Sequence, residues 1–243
     1  MRNILLKIVG PISLTLISYG CHSQQKNPYE QDGYYISTQS QSNDRVKKLG
    51  LDKPSEDASY ILNIRKLSIP NIKHDTTNTD SGINRNNSIK EFDKGAIIVL
   101  KSDTPLNGMK VWDVLQSVGL RWGDGDLFHW ENPSRDYGDD QLFSVWTTTD
   151  PGYFLPESIK AGEMNPDNLI FGFSIPRDAD PENVFEAMVK AIKYCQKRLG
   201  GKILDQNGQP FDEASERKAV LSIIKKMNDK GIKPGSDKAL MMY

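Results

Sequence analysis

Cysteine and histidine are scarce in this sequence, with two and three residues respectively among 243. Cys21 ends an apolar N-terminal stretch and Cys195 lies far from it, so a disulfide framework does not stabilise the fold. His22, His74 and His129 have no second His or Cys at a metal-ligand interval, which argues against a zinc site. The fold must therefore depend on a hydrophobic core, and we expect no metal or other cofactor.

An excess of charge of either sign is also lacking. The chain has 31 basic and 32 acidic residues, so it has no overall field that would attract nucleic acid, and we expect no nucleic-acid partner. No Gly-x-Ser-x-Gly motif surrounds Ser144, and no glycine-rich loop of the phosphate-binding kind is present. No set of residues requires catalysis, and we predict that the protein is not an enzyme.

Two acidic stretches raise the question of calcium binding. Residues Gly123–Asp126 and Asp136–Asp140 combine Asp with Gly, but neither has the Asp-x-Asp-x-Asp-Gly spacing that surrounds one ion with oxygen ligands. The same residue types are typical of tight turns, which is the interpretation we favour.

The N-terminus has no hydrophobic run long enough to be a stable membrane span. Its apolar stretch, Ile8–Gly20, would form a helix of roughly 20 Å, whereas the hydrocarbon core is about 30 Å thick. Arg2 and Lys7 precede it, which is typical of a signal peptide. Residues Ser18–Cys21 resemble a lipobox, so we predict that 1–21 is a signal or lipoprotein anchor segment with lipid on Cys21. A short uncleaved anchor, or an ordinary signal peptide with an incidental cysteine, remains an alternative.

Residues 22–92 are mainly polar. Ser37–Asn43 and Thr76–Asn87 bury too little apolar surface to offset chain entropy, so we predict a largely disordered tether. Its coil dimension would be on the order of 40 to 50 Å. Tyr60–Ile64 is a short apolar exception, which could be a strand docked on the folded domain or a partner site.

A folded domain is predicted over 93–231, followed by a loose tail over 232–243. Its predicted strands are Ala96–Leu100, Leu120–Trp130, Gln141–Thr149 and Leu169–Ile175, with a further hairpin turn at Asn207-Gly208. Asn107, Asp180 and Asp212 can each cap a helix, and Cys195 falls on the apolar face of the second helix. This order predicts an α+β fold, a mainly antiparallel sheet with helices on one face and the other face open.

Several short motifs occur in the order and spacing of a known family. They are Leu106–Gly108, Gly119–Asp124, Asn132-Pro133, Pro151–Pro156 and Leu199–Asp205, within about 140 residues. From about Gly95 onward the sequence resembles the C-terminal FtsZ-binding domain of the cell-division protein ZipA. The resemblance implies a six-stranded antiparallel sheet with about three helices on one face.

In that family the open sheet face forms a shallow apolar groove for the C-terminal peptide of FtsZ. Carried over by position, the peptide-binding residues would be Ile97, Val99, Gly125, Leu127, Trp146, Thr148, Asp150, Ile170 and Gly172. Strand alternation supports this set, because Trp146 and Ile170 project opposite to Val145 and Phe171. The alternative is that the tether covers Trp146. Gly125, Thr148 and Gly172 stand where the family has larger Met or Phe residues, and Asp150 replaces a Lys.

Two functions follow from these features. The resemblance implies a membrane-tethered, non-enzymatic division protein whose partner is the FtsZ tail. The alternative is an envelope lipoprotein that uses the same scaffold to bind another peptide or envelope component. Arg2 and Lys7 favour a location outside the cytoplasmic membrane, which conflicts with a cytoplasmic FtsZ partner.

Overall fold

The computed structural model describes residues 39–62, 95–131, 141–174 and 179–233. In these ranges the α-helices are α1 (Gln39–Lys48), α2 (Gly108–Ser117), α3 (Pro156–Ala161), α4 (Pro181–Leu199) and α5 (Glu213–Asp229). The strands are β1 (Ala96–Lys101), β2 (Arg121–Trp122), β3 (Phe128–Glu131), β4 (Gln141–Trp146), β5 (Asn168–Phe173) and β6 (Lys202–Asp205). Short 3-10 helices span Ser59–Leu62 and Asp124–Asp126.

The six strands form one sheet in the order β2-β3-β4-β5-β1-β6, and every neighbouring pair is antiparallel. This confirms the predicted α+β class. The described residues contain five α-helices instead of about three, because α1 and the short α3 had not been expected.

Helix starts agree with the predicted caps. The Asn107 side chain accepts a hydrogen bond of 2.9 Å from the Lys110 amide, which satisfies one of the free N–H groups at the start of α2. Asp180 accepts in the same way from Glu182, and Asp212 accepts from Ala214. Local sequence therefore determines where α2, α4 and α5 begin.

The core lies between one sheet face and the helices. Ile98 and Leu100 of β1 are fully buried and alternate with the half-buried Ile97 and Val99. Helix α4 contributes buried residues along its length, and Cys195 is one of them. Burial raises the pKa of the Cys195 thiol far above its ordinary value, so this cysteine is an inert core residue, as predicted.

Two predicted hairpins are less regular in the structure. The expected strand Leu120–Trp130 is divided into β2 and β3 by the Asp124–Asp126 turn, where Gly125 and Asp126 have φ values of 64° and 57°. A left-handed backbone cannot continue a strand, which explains the division. After Asn207-Gly208, the returning segment pairs with β6 only through an isolated bridge between Leu204 and Pro210.

Residues 39–62, hereafter the arm, depart from the predicted tether. They form α1 and the Ser59–Leu62 turn, and they bury Val46, Leu51 and Leu62 in the main core, while Ala58 is also fully buried. The apolar segment at Tyr60–Ile64 docks through Leu62, as a 3-10 turn and not as a strand, within its described part. These residues are therefore an ordered part of the segment 22–92, which the sequence predicts to be largely disordered.

Specific hydrogen bonds attach the arm to α2. The buried Trp112 indole donates to the Leu51 carbonyl at 3.0 Å, and the Ala58 amide donates to the Ser117 carbonyl at 2.8 Å. The Asp113 carboxylate accepts from the amide and the hydroxyl of Ser55. These bonds satisfy groups that would otherwise lie unpaired under the arm.

Candidate functional site

The sheet face opposite the helices presents an apolar row across four strands. Trp146 of β4 lies opposite Ile170 of β5, which lies opposite Val99 of β1, and Val99 in turn lies opposite Leu204 of β6. Residues directly opposite each other in an antiparallel pair project to the same face. The predicted alternation is thus confirmed, since Val145 pairs with Phe171 on the buried face.

Trp146 and Gly172 are in close contact on this face. A Cβ placed on Gly172 would lie 2.7 Å from Cη2 and 3.1 Å from Cζ3 of the Trp146 ring. The indole therefore lies against the bare backbone of β5 and remains half-buried. Glycine at 172 provides the space for this position.

Strand β5 is more buried than expected for a strand with one side on the predicted open face. All six of its residues are buried, and Ile170 is only 9% exposed. The reason is its central place in the sheet, with Trp146 on one side and Val99 on the other. The accessible apolar surface is consequently formed mainly by the half-buried flanking residues, Trp146, Ile97 and Val99.

Leu127 and Gly125 lie next to the start of β3. Phe128 pairs with Val145, so Leu127 precedes β3 at the level of Trp146 and extends the apolar row. A Cβ on Gly125 would lie 3.8 Å from Leu127 Cγ, which places the two residues side by side. The apolar row is thus Leu127, Trp146, Ile170, Val99 and Leu204.

Thr148 and Asp150 follow the end of β4 and are both exposed. The Thr148 amide donates to Asn168 Oδ1 at 2.9 Å, and its hydroxyl accepts from Asn168 Nδ2 at 2.6 Å. Thr148 therefore belongs to a polar border of the face. Asp150 lies in the loop that follows β4.

Leu204 is a member of the row that sequence reasoning missed. The alternation of residues in β6 does not show which of them lie on the open face of the sheet. The pairing of Leu204 with Val99 places Leu204 on that face. Lys101 and Lys202 lie opposite each other at the same end of the sheet. Each has an acidic neighbour, Asp167 at 2.5 Å and Asp103 at 3.3 Å.

His129 is a structural residue on this side of the sheet. It is 3% exposed, and its Nε2 lies 2.8 Å from the Asp124 carbonyl. A carbonyl only accepts, so Nε2 carries the proton and Nδ1 accepts from the Ser144 hydroxyl, also at 2.8 Å. The ring thereby ties the Asp124–Asp126 turn to the sheet.

Carboxylates near the face have shifted pKa values with clear causes. Hydrogen bonding to Lys101 lowers the pKa of Asp167, and burial raises the pKa of Glu131, although Arg121 partly opposes that increase. Within the described ranges, no cluster of three or more His, Cys, Asp or Glu residues could hold a metal ion.

Across the described residues, every helix is too short or too polar to cross a bilayer. The predicted anchor, 1–21 with Cys21, lies outside the residues that the structure describes.

Comparisons with known proteins agree with the fold. A model of the family described as ZipA, C-terminal FtsZ-binding domain, matches residues 95–220, which is more than half of the chain. The cell division protein ZipA of Marinobacter nauticus is 28% identical over 109 residues, 45% of this chain and 31% of that protein. The ZipA protein of Shewanella loihica is 25% identical over 130 residues, 54% and 38% of the two chains.

A third relative, the ZipA protein of Vibrio cholerae serotype O1, is 31% identical over 101 residues, 42% of this chain and 34% of that protein. The chain thus spans about a third of the length of the curated relatives it matches. The match includes every strand of the sheet, β1 to β6. The chain therefore belongs to the family of the ZipA C-terminal FtsZ-binding domain.

Proposed function

We propose that this protein is a non-enzymatic component of cell division that binds the C-terminal peptide of FtsZ on its open sheet face. The observation that carries the proposal is the apolar row that contains Trp146. Family membership supports the choice of partner, because the matching family is described as FtsZ-binding.

The dimensions of the apolar row suit a short peptide. Its five residues are separated by four strand spacings, which amounts to roughly 19 Å at about 4.8 Å per spacing. A helix of about 12 residues or an extended segment of about six residues has this length. Binding would remove the half-exposed Trp146, Val99 and Leu127 from water, and a tryptophan at the centre of a contact is a frequent energetic hot spot.

The peptide site as proposed comprises the nine residues carried over from the family and Leu204. Trp146, Val99, Ile97, Ile170 and Leu127 would supply apolar contact, and Gly172 would provide space for the indole. Gly125 would border Leu127, while Thr148 and Asp150 would meet polar parts of the ligand. We further propose that the folded unit begins at about residue 39 and that segment 1–21, with lipid on Cys21, attaches it to a membrane.

Titration of the full chain in detergent with a peptide of the FtsZ C-terminal tail tests this function. Of the four tryptophans, Trp112, Trp122 and Trp130 are buried, so a change in emission reports mainly on Trp146. We expect saturable binding by calorimetry together with a blue shift in emission. Trp146→Ala should weaken binding at least about tenfold, which corresponds to the 1.4 kcal/mol or more typical of a hot spot.

A matched pair of substitutions separates the face from the rest of the surface. Val99→Thr keeps the branched shape but adds a hydroxyl to the apolar row, whereas Leu221→Thr changes an exposed residue on α5 that is 41% accessible. Binding should weaken for the first variant only. Equal affinity of both variants, or no saturation by wild type up to millimolar peptide, would remove the basis for the proposal.

The alternative function, an envelope lipoprotein, is tested by finding on which side of the cytoplasmic membrane the folded domain lies. The sequence feature that favours it is the pair Arg2 and Lys7 before the apolar stretch. Alkaline phosphatase fused after Tyr243 acquires its disulfides, and hence its activity, only outside the cytoplasm. We expect an inactive fusion for a cytoplasmic FtsZ partner, and an active fusion would favour an envelope ligand instead.

A further inference from the structure

Arg45 of the arm connects three separate parts of the domain. Its Nε and Nη2 donate to the two carboxylate oxygens of Glu157 at 2.6 and 2.5 Å, and its Nη1 donates to Asp126 Oδ1 at 3.5 Å. The guanidinium carbon also lies 5.3 Å from the ring centre of the buried Trp122. The guanidinium group makes a bidentate contact with a carboxylate and also contacts an aromatic ring. It therefore has little freedom to move.

The segment that Arg45 holds is the turn at 124–127, which carries two residues of the proposed peptide site. Gly125 and Asp126 both adopt left-handed backbone angles, a conformation that the side chain of Asp126 makes costly. None of the four turn residues is fully buried. Hydrogen bonds and ion pairs, more than apolar packing, must therefore hold the turn in place.

The electrostatics of the turn show why a cation is needed there. Burial raises the pKa of the Asp126 carboxyl, and the neighbouring carboxylates of Glu157 and Asp124 raise it further, while Arg45 lowers it. Without the guanidinium, three acidic groups would repel one another beside a partly buried carboxylate. Arg45 is the cation that offsets this repulsion.

We propose that Arg45 is a positioning residue for the peptide site, which fixes the 124–127 turn and thereby the wall formed by Gly125 and Leu127. The His129 hydrogen bond to Asp124 holds one end of the turn, and Arg45 holds the other through Asp126. The part of this inference that concerns the ligand rests on the proposed function. Arg45 lies outside the family match at 95–220, so the arm adds to the site from a separate part of the chain.

Hydrogen exchange of the full chain in detergent tests the positioning itself. The amides to follow are Gly123, Asp126 and Leu127, which bond within the turn to Leu127, Gly123 and Asp124. Arg45→Met keeps the aliphatic part of the side chain but removes the positive charge and the hydrogen-bond donors of the guanidinium group. We expect exchange of these amides to become at least about fivefold faster, the lower end of typical coupling effects. Arg45→Lys keeps the charge only and should give an intermediate rate.

Glu56→Gln is the matched control, because it breaks another ion pair of the arm, which is made with Arg198 on α4 and not with the turn. Exchange of the three amides should remain at the wild-type rate in this variant. Unchanged exchange in Arg45→Met would overturn the inference, and so would an equal increase in both variants, since that would reflect general loosening of the arm.

The FtsZ tail peptide provides the second measurement. We expect Arg45→Met to weaken its binding at least about fivefold and Glu56→Gln to leave it unchanged. If wild type binds no peptide, the proposed function fails, and the exchange rates still decide whether Arg45 positions the turn. If wild type binds and Arg45→Met binds equally well despite faster exchange, the role of Arg45 in the site is refuted.

Discussion

The Trp146 indole lies against the backbone of Gly172, so close that a Cβ at position 172 would be 2.7 Å from the ring. Neither residue alone defines the candidate site. The ring can occupy the centre of the open face only because its neighbour on β5 has no side chain.

Gly172→Ala should displace the indole without unfolding the domain. The clash involves the far edge of a half-buried ring, which can swing outward, so we expect stability to change by less than about 1 kcal/mol. The displaced ring should become more accessible to water, with red-shifted emission and stronger quenching by acrylamide. Peptide affinity should fall, because the apolar row loses its largest side chain.

A double-mutant cycle gives the control. In a Trp146→Leu background the same Gly172→Ala change meets no ring, so its effect on the free energy of unfolding should be neutral or favourable. An identical effect of Gly172→Ala in both backgrounds would mean that the two residues are not coupled.

Local patterns were sufficient to predict most of the domain. A β-branched run predicted strand β1, and alternation of period two identified the outward position of Trp146 on β4. The helix cap at Asn107 depends on hydrogen bonds within one turn of helix, so it can be predicted from residues that are close in the sequence. Such features require no knowledge of distant contacts.

The arm could not be predicted, because its structure depends on contacts with residues far along the chain. Its buried residues Val46, Leu51, Ala58 and Leu62 have irregular spacing, and a largely polar sequence surrounds them. Their partners lie far along the chain, as with Leu51 and Trp112. The low solvent exposure of Ile170 could not be predicted either, because it depends on the neighbouring strands, whose positions the sequence alone does not give.

Leu51→Ala should destabilise the domain although it lies outside the family match. Leu51 is 3% exposed, and its removal leaves a cavity in the main core, with an expected cost of about 2 to 4 kcal/mol. Chemical denaturation of the full chain measures this difference. Tyr60→Ala, at a residue that is 68% exposed, should change stability by no more than about 0.5 kcal/mol.

Truncation extends the same prediction to the whole arm. A chain that begins at residue 93 loses all four buried arm residues and the acceptor of the Trp112 indole. We expect it to be less stable than a chain that begins at residue 39 by at least about 2 kcal/mol. Equal stability of the two chains would show that the arm does not belong to the folded unit.

Arg45 lies between two carboxylates whose pKa values are shifted in opposite directions. Hydrogen bonds from Arg45 lower the pKa of Glu157, whereas burial, aided by the nearby acids, raises the pKa of Asp126. Glu157 therefore stabilises the fold above its unfolded pKa, and this contribution is lost as the pH falls through its folded pKa. Asp126 has the reverse effect, since the folded state binds its proton more tightly than the unfolded state does.

Substitution of each acid by its amide should accordingly have opposite effects near neutral pH. Glu157→Gln should lower stability by about 0.2 to 1 kcal/mol, as expected for an exposed pair. Asp126→Asn should raise stability, and asparagine tolerates the left-handed backbone at this position. The benefit should shrink as the pH falls through the folded pKa of Asp126 and vanish below the unfolded value of about 3.9.

Unfolding free energies of both variants and wild type, measured from neutral pH down to about the unfolded pKa values, test these signs. Both single changes keep side-chain volume nearly constant, so cavity effects do not obscure the electrostatic difference. A destabilising effect of Asp126→Asn at neutral pH would show that attraction to Arg45 outweighs the burial of the Asp126 carboxylate. In that case the ion pair between Arg45 and Asp126 would contribute net stability to the contact between the arm and the turn.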